Sequence, residues 1–287
     1  MMRDPDTVNP NEPGAAEPTA PTAVVARWVT YQAERFPLFK HGVLVAAFSY
    51  SAVCYSRLLR TSDGASFTMP GMIAGLVAFI CCLGLFLQLR IADEHKDFEE
   101  DAKYRPYRPV QRGLVTLREL LILGIIVAGI QAAAALVLTP RLLVFLVITW
   151  AYLALMTREF FCRSWLVRHP AWYMFSHMAI MPLIDLFATG CDWIPAGDQP
   201  RTLGLTVFLA TSYFNGLVIE MGRKIRKPED EEEGVQTYSK LWGRRGAVTA
   251  WLLAMAGAGG LAIAAGAIIG QSTIVAACVV VGLLGGG

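Results

Sequence analysis

The sequence predicts an all-α, polytopic membrane protein, and three observations predict it. Hydrophobic residues make up 55% of the 287 positions and charged residues only 17%, against about 25% charged in a soluble domain. Mean hydropathy is +0.46. The apolar residues also fall in blocks of about twenty, the length of helix that crosses a hydrocarbon core. Together these exclude a secreted disulfide scaffold, a nucleic-acid-binding module and a disordered chain. The net charge of +2 selects no partner.

Residues 1–22 are rich in Pro, Ala, Thr, Asp and Glu without hydrophobic periodicity, so a disordered tail is expected. It has no basic segment followed by an apolar core, as a signal peptide would. Residues 23–40 carry Trp28, Tyr31, Phe36 and Phe39 among Arg27, Arg35 and Lys40, the composition of an interfacial amphipathic segment. The transmembrane domain then occupies 41–287. About eight spans are expected, over 41–59, 71–91, 118–138, 141–157, 171–190, 202–221, 246–269 and 271–286. The last is short and ends in Gly285, Gly286 and Gly287, which is compatible with a further, missing helix. Cys54, Cys81, Cys82, Cys162, Cys191 and Cys278 show no zinc or redox spacing. They read as small apolar residues packed between helices.

With the N-terminus cytoplasmic, all of the 25 Lys and Arg except Arg57, Arg60, Arg141 and Arg201 fall on the inner side. That bias sets the orientation. Most acidic residues share the same loops, with six carboxylates between Asp93 and Asp101 and six between Glu220 and Glu233. Orientation alone requires only cations there, so the mixture points to a site.

In the first charged loop, Asp93, Asp97 and Asp101 are spaced i, i+4, i+8 and would share one face of a helix. Like charges stacked this way need neutralising. Pairing with Lys96, Lys103 and Arg105 on a solvated helix end is one solution. A divalent cation is the other, since Mg²⁺ takes one or two carboxylates and completes its shell with water and phosphate. The second loop sets Arg223, Lys224, Arg226 and Lys227 directly before Glu229–Glu233. Its charges either pair with one another or hold a phosphate, which Arg and Lys grip.

These residues resemble the UbiA-type intramembrane prenyltransferases. The family's first motif is Asn-Asp-x-x-Asp-x-x-x-Asp; here Asp93 stands for the Asn, Glu94 for the first Asp, and Asp97 and Asp101 match. Arg108-Pro109-Val110-Gln111-Arg112-Gly113 matches the Arg-Pro turn that follows, and Gly234 through Trp242-Gly243 looks like the exit of the second motif. The second motif itself departs. Glu220 replaces its first Asp, but the i+4 partner is Lys224, with Asp230 as a loosely aligned later carboxylate. The family has nine helices, one more than the spans counted here.

The resemblance implies Mg²⁺-dependent transfer of an isoprenyl group from a prenyl diphosphate to an aromatic or lipid acceptor, in the plasma (inner) membrane. Asp93, Glu94, Asp97, Asp101, Glu220 and Asp230 are then the expected metal ligands. Lys103, Arg108, Arg112, Arg158, Arg163, Arg223 and Lys224 are the expected diphosphate-binding residues. Asp93, Asp97, Asp101, Lys224 and Asn215 are expected to carry catalysis, Asn215 because it lies near Glu220. Ionising an allylic diphosphate requires neutralising the leaving group, and the cation needs an apolar, aromatic-lined cavity. Phe86, Trp150, Tyr152, Tyr173, Phe175, Tyr213 and Phe214 qualify, although each also suits helix packing or the membrane boundary.

An ionisable residue at membrane depth is a functional hypothesis by default. His177 or Glu159 could accept the substrate's proton, while Asp185 reads as an interhelical hydrogen bond and Gln131 is a further polar residue at depth. Three other activities compete: a terpene cyclase that needs no acceptor, phosphoribosyl transfer to a polyprenyl phosphate, and a transporter using His177 and Asp185 as a proton relay. No internal repeat supports the transporter.

Overall fold

A computed structural model describes residues 21–61, 69–232 and 234–285. Its helices are α1 (Pro21–Arg35), α2 (Leu38–Thr61), α3 (Met72–Lys96), α4 (Phe98–Tyr104), α5 (Leu117–Leu138), α6 (Leu142–Thr157), α7 (Arg163–Arg168), α8 (Pro170–Met178), α9 (Ile180–Ala196), α10 (Thr202–Gly222), α11 (Tyr238–Ile268) and α12 (Ser272–Gly285). No strand occurs among the described residues. Among the described residues, six segments are long and apolar enough to cross a membrane, with α6 and α12 as shorter apolar helices. The expected tail covers residues outside those described, except that Pro21 and Thr22 already belong to α1.

The fifth span, Pro170–Ala196, is broken at Ala179 into α8 and α9. Pro182 explains the break. It has no N–H to give the carbonyl four residues back, and its ring crowds that carbonyl, so it is tolerated only in a helix's first turn. The phenols of Tyr152 and Tyr213 fill the gap, donating to the carbonyls of Ser176 at 2.6 Å and Phe175 at 3.1 Å.

Helix α9 is the hub, packed on α2, α3, α6 and α10, and buries Ile184, Phe187, Ala188 and Cys191. Small residues at the facing positions, Ala52, Ala78, Cys81 and Cys82, let the helices approach closely. Gly84 is required for the same reason, since a methyl group there would meet Gln131 Nε2 at 2.7 Å. Gln131 ties three helices together, donating to the Cys81 carbonyl at 2.9 Å and accepting from Trp150 Nε1 at 3.2 Å. All six cysteines are free; Cys81, Cys82 and Cys191 are buried, whereas Cys278 is exposed.

The two ends of the bundle differ. At one, Asp192 is buried among Ser56 at 3.0 Å, Arg57 at 2.8 Å and Arg60 at 3.0 Å, which clamps α2 to α9. At the other, the ends of α3, α8, α10 and α11 meet in a much denser set of charges.

Candidate functional site

The first charged loop leaves α3 in two directions. Asp93 and Lys96 line a cavity of about 20 Å³ with Leu89, Leu153, Met156, Thr157 and His177, room for roughly one water. Lys96 Nζ donates to the Tyr173 hydroxyl at 2.5 Å and sits 5.2 Å from that ring's centroid. Tyr173 stacks on His177 with centroids 4.0 Å apart and planes 10° from parallel. Asp97, between α3 and α4, makes no ion pair among the described residues. Burial, opposed by Lys96 and reinforced by Asp93, Asp101 and Glu100, pushes its carboxyl up to about 6.

The expected single acidic face does not form. At Asp97 the backbone leaves the helix (φ −94°, ψ 8°), so Asp101 starts from a new axis. Its carboxylate is 1% exposed and held by Arg105 at 2.7 Å and by Arg108. Glu94 is fully buried on the far side of α3, ion-paired with Arg35 of α1. Two of the six expected metal ligands therefore brace the scaffold. Arg108 is committed to Asp101, and Arg112 to Glu34 at 2.7 Å and the Tyr107 carbonyl at 3.1 Å. Lys103 lies over the Tyr104 ring at 4.7 Å.

The second loop is built differently. Glu220, 5% exposed, accepts from Lys224 Nζ at 2.8 Å and Arg223 Nε at 2.6 Å. Arg223 is within electrostatic reach of Asp93, and Glu220 within reach of His177, so the ends of α3, α8 and α10 face one another. Lys224 lies 5.7 Å from the Tyr238 ring. Beyond it the charges pair among themselves: Arg226 with Glu232 at 2.9 Å, and Glu231 with the Thr237 hydroxyl at 2.7 Å. Asp230 is exposed in a 3-10 turn, its carbonyl accepting from Arg226. Gly234 holds φ +73°, and any side chain there would strike the Tyr104 ring, so the two loops touch at this point.

A third wall follows α6. Glu159, Phe160 and Phe161 are left-handed, with φ of 47°, 52° and 57°, a conformation that costs non-glycine residues roughly 1–2 kcal/mol each. The turn buries Glu159, which pairs with Arg163 at 3.1 Å, and sets Phe160 edge-on against Tyr152 and His177. Arg158 is exposed. Asn215 is not brought to the site; it is exposed on the face of α10 that carries exposed Ile219. Among the described residues, no three His, Cys, Asp or Glu side chains converge on a common point. Sequence reasoning named His177 and Tyr173 but gave Lys96 no more than a pairing role. Its position between Asp93 and Asp97 is the signal that was available.

No curated protein matches the chain. Among solved structures it is similar to the apo form of a UbiA homolog from Aeropyrum pernix K1, with a TM-score of 0.61 and 18% identity, over 86% of this chain and 90% of that one. At that identity the likeness speaks for the fold. The UbiA prenyltransferase family matches residues 59–286. Helices, charged end and sequence match agree: the chain is an integral membrane protein of the UbiA prenyltransferase family.

Proposed function

We propose that the protein transfers an isoprenyl group from a prenyl diphosphate to an aromatic or lipid acceptor. The observation that carries this reading is a pair of under-neutralised carboxylates at one end of an apolar bundle: Asp97, with no ion pair among the described residues, and Asp93, held only loosely by Arg90 at 3.6 Å and within electrostatic reach of Arg223. The arrangement suits a diphosphate arriving with a cation. Asp93 and Asp97 fit Mg²⁺, which needs only one or two carboxylates when phosphate and water complete its octahedron. Glu220, already neutralised by two cations, fits a metal poorly. When bound, Mg²⁺ would neutralise charge developing on the departing diphosphate.

The chain's own residues do the remaining work. Arg223 and Lys224 are fixed by Glu220, so they can grip phosphate oxygens without first being ordered. Leu89, Leu153 and Met156 give the cavity beside Asp93 and Lys96 an apolar lining, which suits a reacting carbon that must be kept from bulk water. The charged end faces the cytoplasm and the N-terminus lies on that side of the plasma (inner) membrane, a reading supported by the distribution of Lys and Arg.

The test is diphosphate release by purified protein in detergent, with Mg²⁺ or EDTA, across prenyl diphosphates of increasing length. Mg²⁺-dependent release that requires an acceptor and yields a prenylated adduct is the expected result. Release without acceptor, giving a cyclic hydrocarbon or alcohol, would reassign the protein as a terpene cyclase.

A further inference from the structure

We propose that His177 Nε2 takes the acceptor's proton, and that the acceptor attacks through a hydroxyl group. The proposal rests on the prenyl-transfer reading and names both the base and the nucleophile. His177 is 6% exposed. Its Nδ1 lies 2.8 Å from the Tyr173 carbonyl, an oxygen that can only accept, so the proton of the neutral ring is on Nδ1. The lone pair then belongs to Nε2, which is buried and has no hydrogen-bond partner among the described residues. A buried ring nitrogen needs a hydrogen-bond partner, and the cavity that His177 lines is where a donor can reach it.

The surroundings hold that nitrogen still. Tyr173 stacks on one side of the ring at 4.0 Å, and Phe160 meets it edge-on at 5.8 Å. The left-handed turn that places Phe160 is costly, and this contact is one thing it achieves. Tyr173 is itself fixed by Lys96 Nζ, while Tyr152 and Tyr213 tie down the neighbouring carbonyls of α8. A general base must be held within hydrogen-bond reach of the proton it removes. Among the carboxylates of this region, Glu159 is paired with Arg163, Glu220 with Arg223 and Lys224, and Asp93, which lines the same cavity, with Arg90 at 3.6 Å.

The cavity specifies the nucleophile. His177 lines it together with the polar Asp93, Lys96 and Thr157 and the apolar Leu89, Leu153 and Met156. Its volume of about 20 Å³ suits one water-sized group. A hydroxyl has that size and both donates and accepts, which satisfies a bare nitrogen and an ammonium together. An aromatic C–H does neither. In the reaction, the acceptor oxygen bonds to C1 of the isoprenyl group as the C1–O bond to diphosphate breaks. The bonding pair leaves on the diphosphate, the O–H proton passes to Nε2, and the imidazolium returns it to water at the charged mouth.

The test uses full-length protein in detergent with a prenyl diphosphate, Mg²⁺, and either a 4-alkylphenol, a glycerol monoether, or their O-methyl ethers. Wild type should form an O-linked adduct from a free hydroxyl and none from the methyl ethers. His177→Phe and His177→Gln should lose adduct formation by about 10²-fold or more, with KM for the donor changed less than threefold. His177→Gly should recover turnover on addition of imidazole, which a purely structural role would not allow. Melting temperatures of the variants in detergent separate lost chemistry from lost folding. Adduct formation by folded His177→Phe within threefold of wild type would overturn the role of His177. Carbon-linked products from the methyl ethers, or prenyl alcohol as the sole product, would overturn the hydroxyl acceptor. A wild type that releases no diphosphate from any donor would overturn the transfer reading itself, and this proposal with it.

Discussion

The ends of α3 and α10 present the same kinds of residue in opposite states. At the end of α10, a buried carboxylate is saturated: Glu220 accepts from both Arg223 and Lys224. At the end of α3, Asp97 has no ion pair among the described residues, and burial raises its carboxyl. One end brings its full counter-charge; the other brings only part of it, Arg90 beside Asp93 and Lys96 near Asp97. The difference also divides the first loop internally. Glu94 and Asp101, with 0% and 1% exposure, are locked to Arg35 and to Arg105 and Arg108, while Asp93 has only Arg90 at 3.6 Å and Asp97 has no ion pair among the described residues.

The largest expected effect breaks the under-neutralised end. Asp97→Ala should lower Mg²⁺-dependent diphosphate release by about 10²–10³-fold, the scale for removing a group that stabilises transition-state charge. An unchanged rate in the release assay would remove the contrast between the two helix ends. Next comes the locked carboxylate. Arg35→Ala strands Glu94 fully buried and unpaired, and breaking such a pair costs about 3–5 kcal/mol. Chemical denaturation in detergent micelles would read it, and Arg35→Met with Glu94→Leu should recover most of the loss.

A third experiment separates under-neutralised from locked by pH. The Asp97 carboxyl is raised from 3.8 to about 6, so the folded protein holds this proton more tightly than the unfolded chain does. Its stabilising contribution is whole below about pH 4 and is lost as pH rises through 6. The loss amounts to at most about 3 kcal/mol at 1.36 kcal/mol per pKa unit. Metal-free wild type should therefore lose stability relative to Asp97→Asn between pH 4 and 7, and Mg²⁺ with inorganic diphosphate should restore it. Parallel pH curves for the two proteins would contradict the burial of an ionised Asp97. Smaller still is Lys224→Met, which leaves Glu220 to Arg223. It should raise KM for the donor about tenfold, or ~1.4 kcal/mol, with little change in kcat.

Much of the fold was legible because membrane spans announce themselves by length. The expected 118–138, 141–157 and 202–221 became Leu117–Leu138, Leu142–Thr157 and Thr202–Gly222. Hydropathy does not register a break inside an apolar run, so the interruption at Ala179 lay hidden although Pro182 was in plain sight. The site was legible as a set of residue types and not as a set of directions. Spacing of four residues puts Asp93, Asp97 and Asp101 on one face only while one helix continues, and the chain turns at Asp97. Glu94 faces away because α1 docks behind α3 through Tyr31 and Arg35, a long-range contact that no local pattern encodes. His177 was visible as a polar residue at depth; its bare Nε2 depends on a carbonyl one turn back and emerges only from three dimensions.

The length of α6 has a consequence for the lipid around it. Its sixteen residues span about 24 Å at 1.5 Å per residue, roughly 6 Å short of a hydrocarbon core of about 30 Å. The turn at Glu159–Phe161 ends the helix, and a span this short is met by local thinning of the bilayer or by flanking side chains that reach out to the headgroups. Phe161 and Trp165, both exposed, lie in and just beyond that turn. Activity in vesicles of defined acyl-chain length is therefore expected to vary with bilayer thickness, because the short helix carries the turn that places Phe160 against His177.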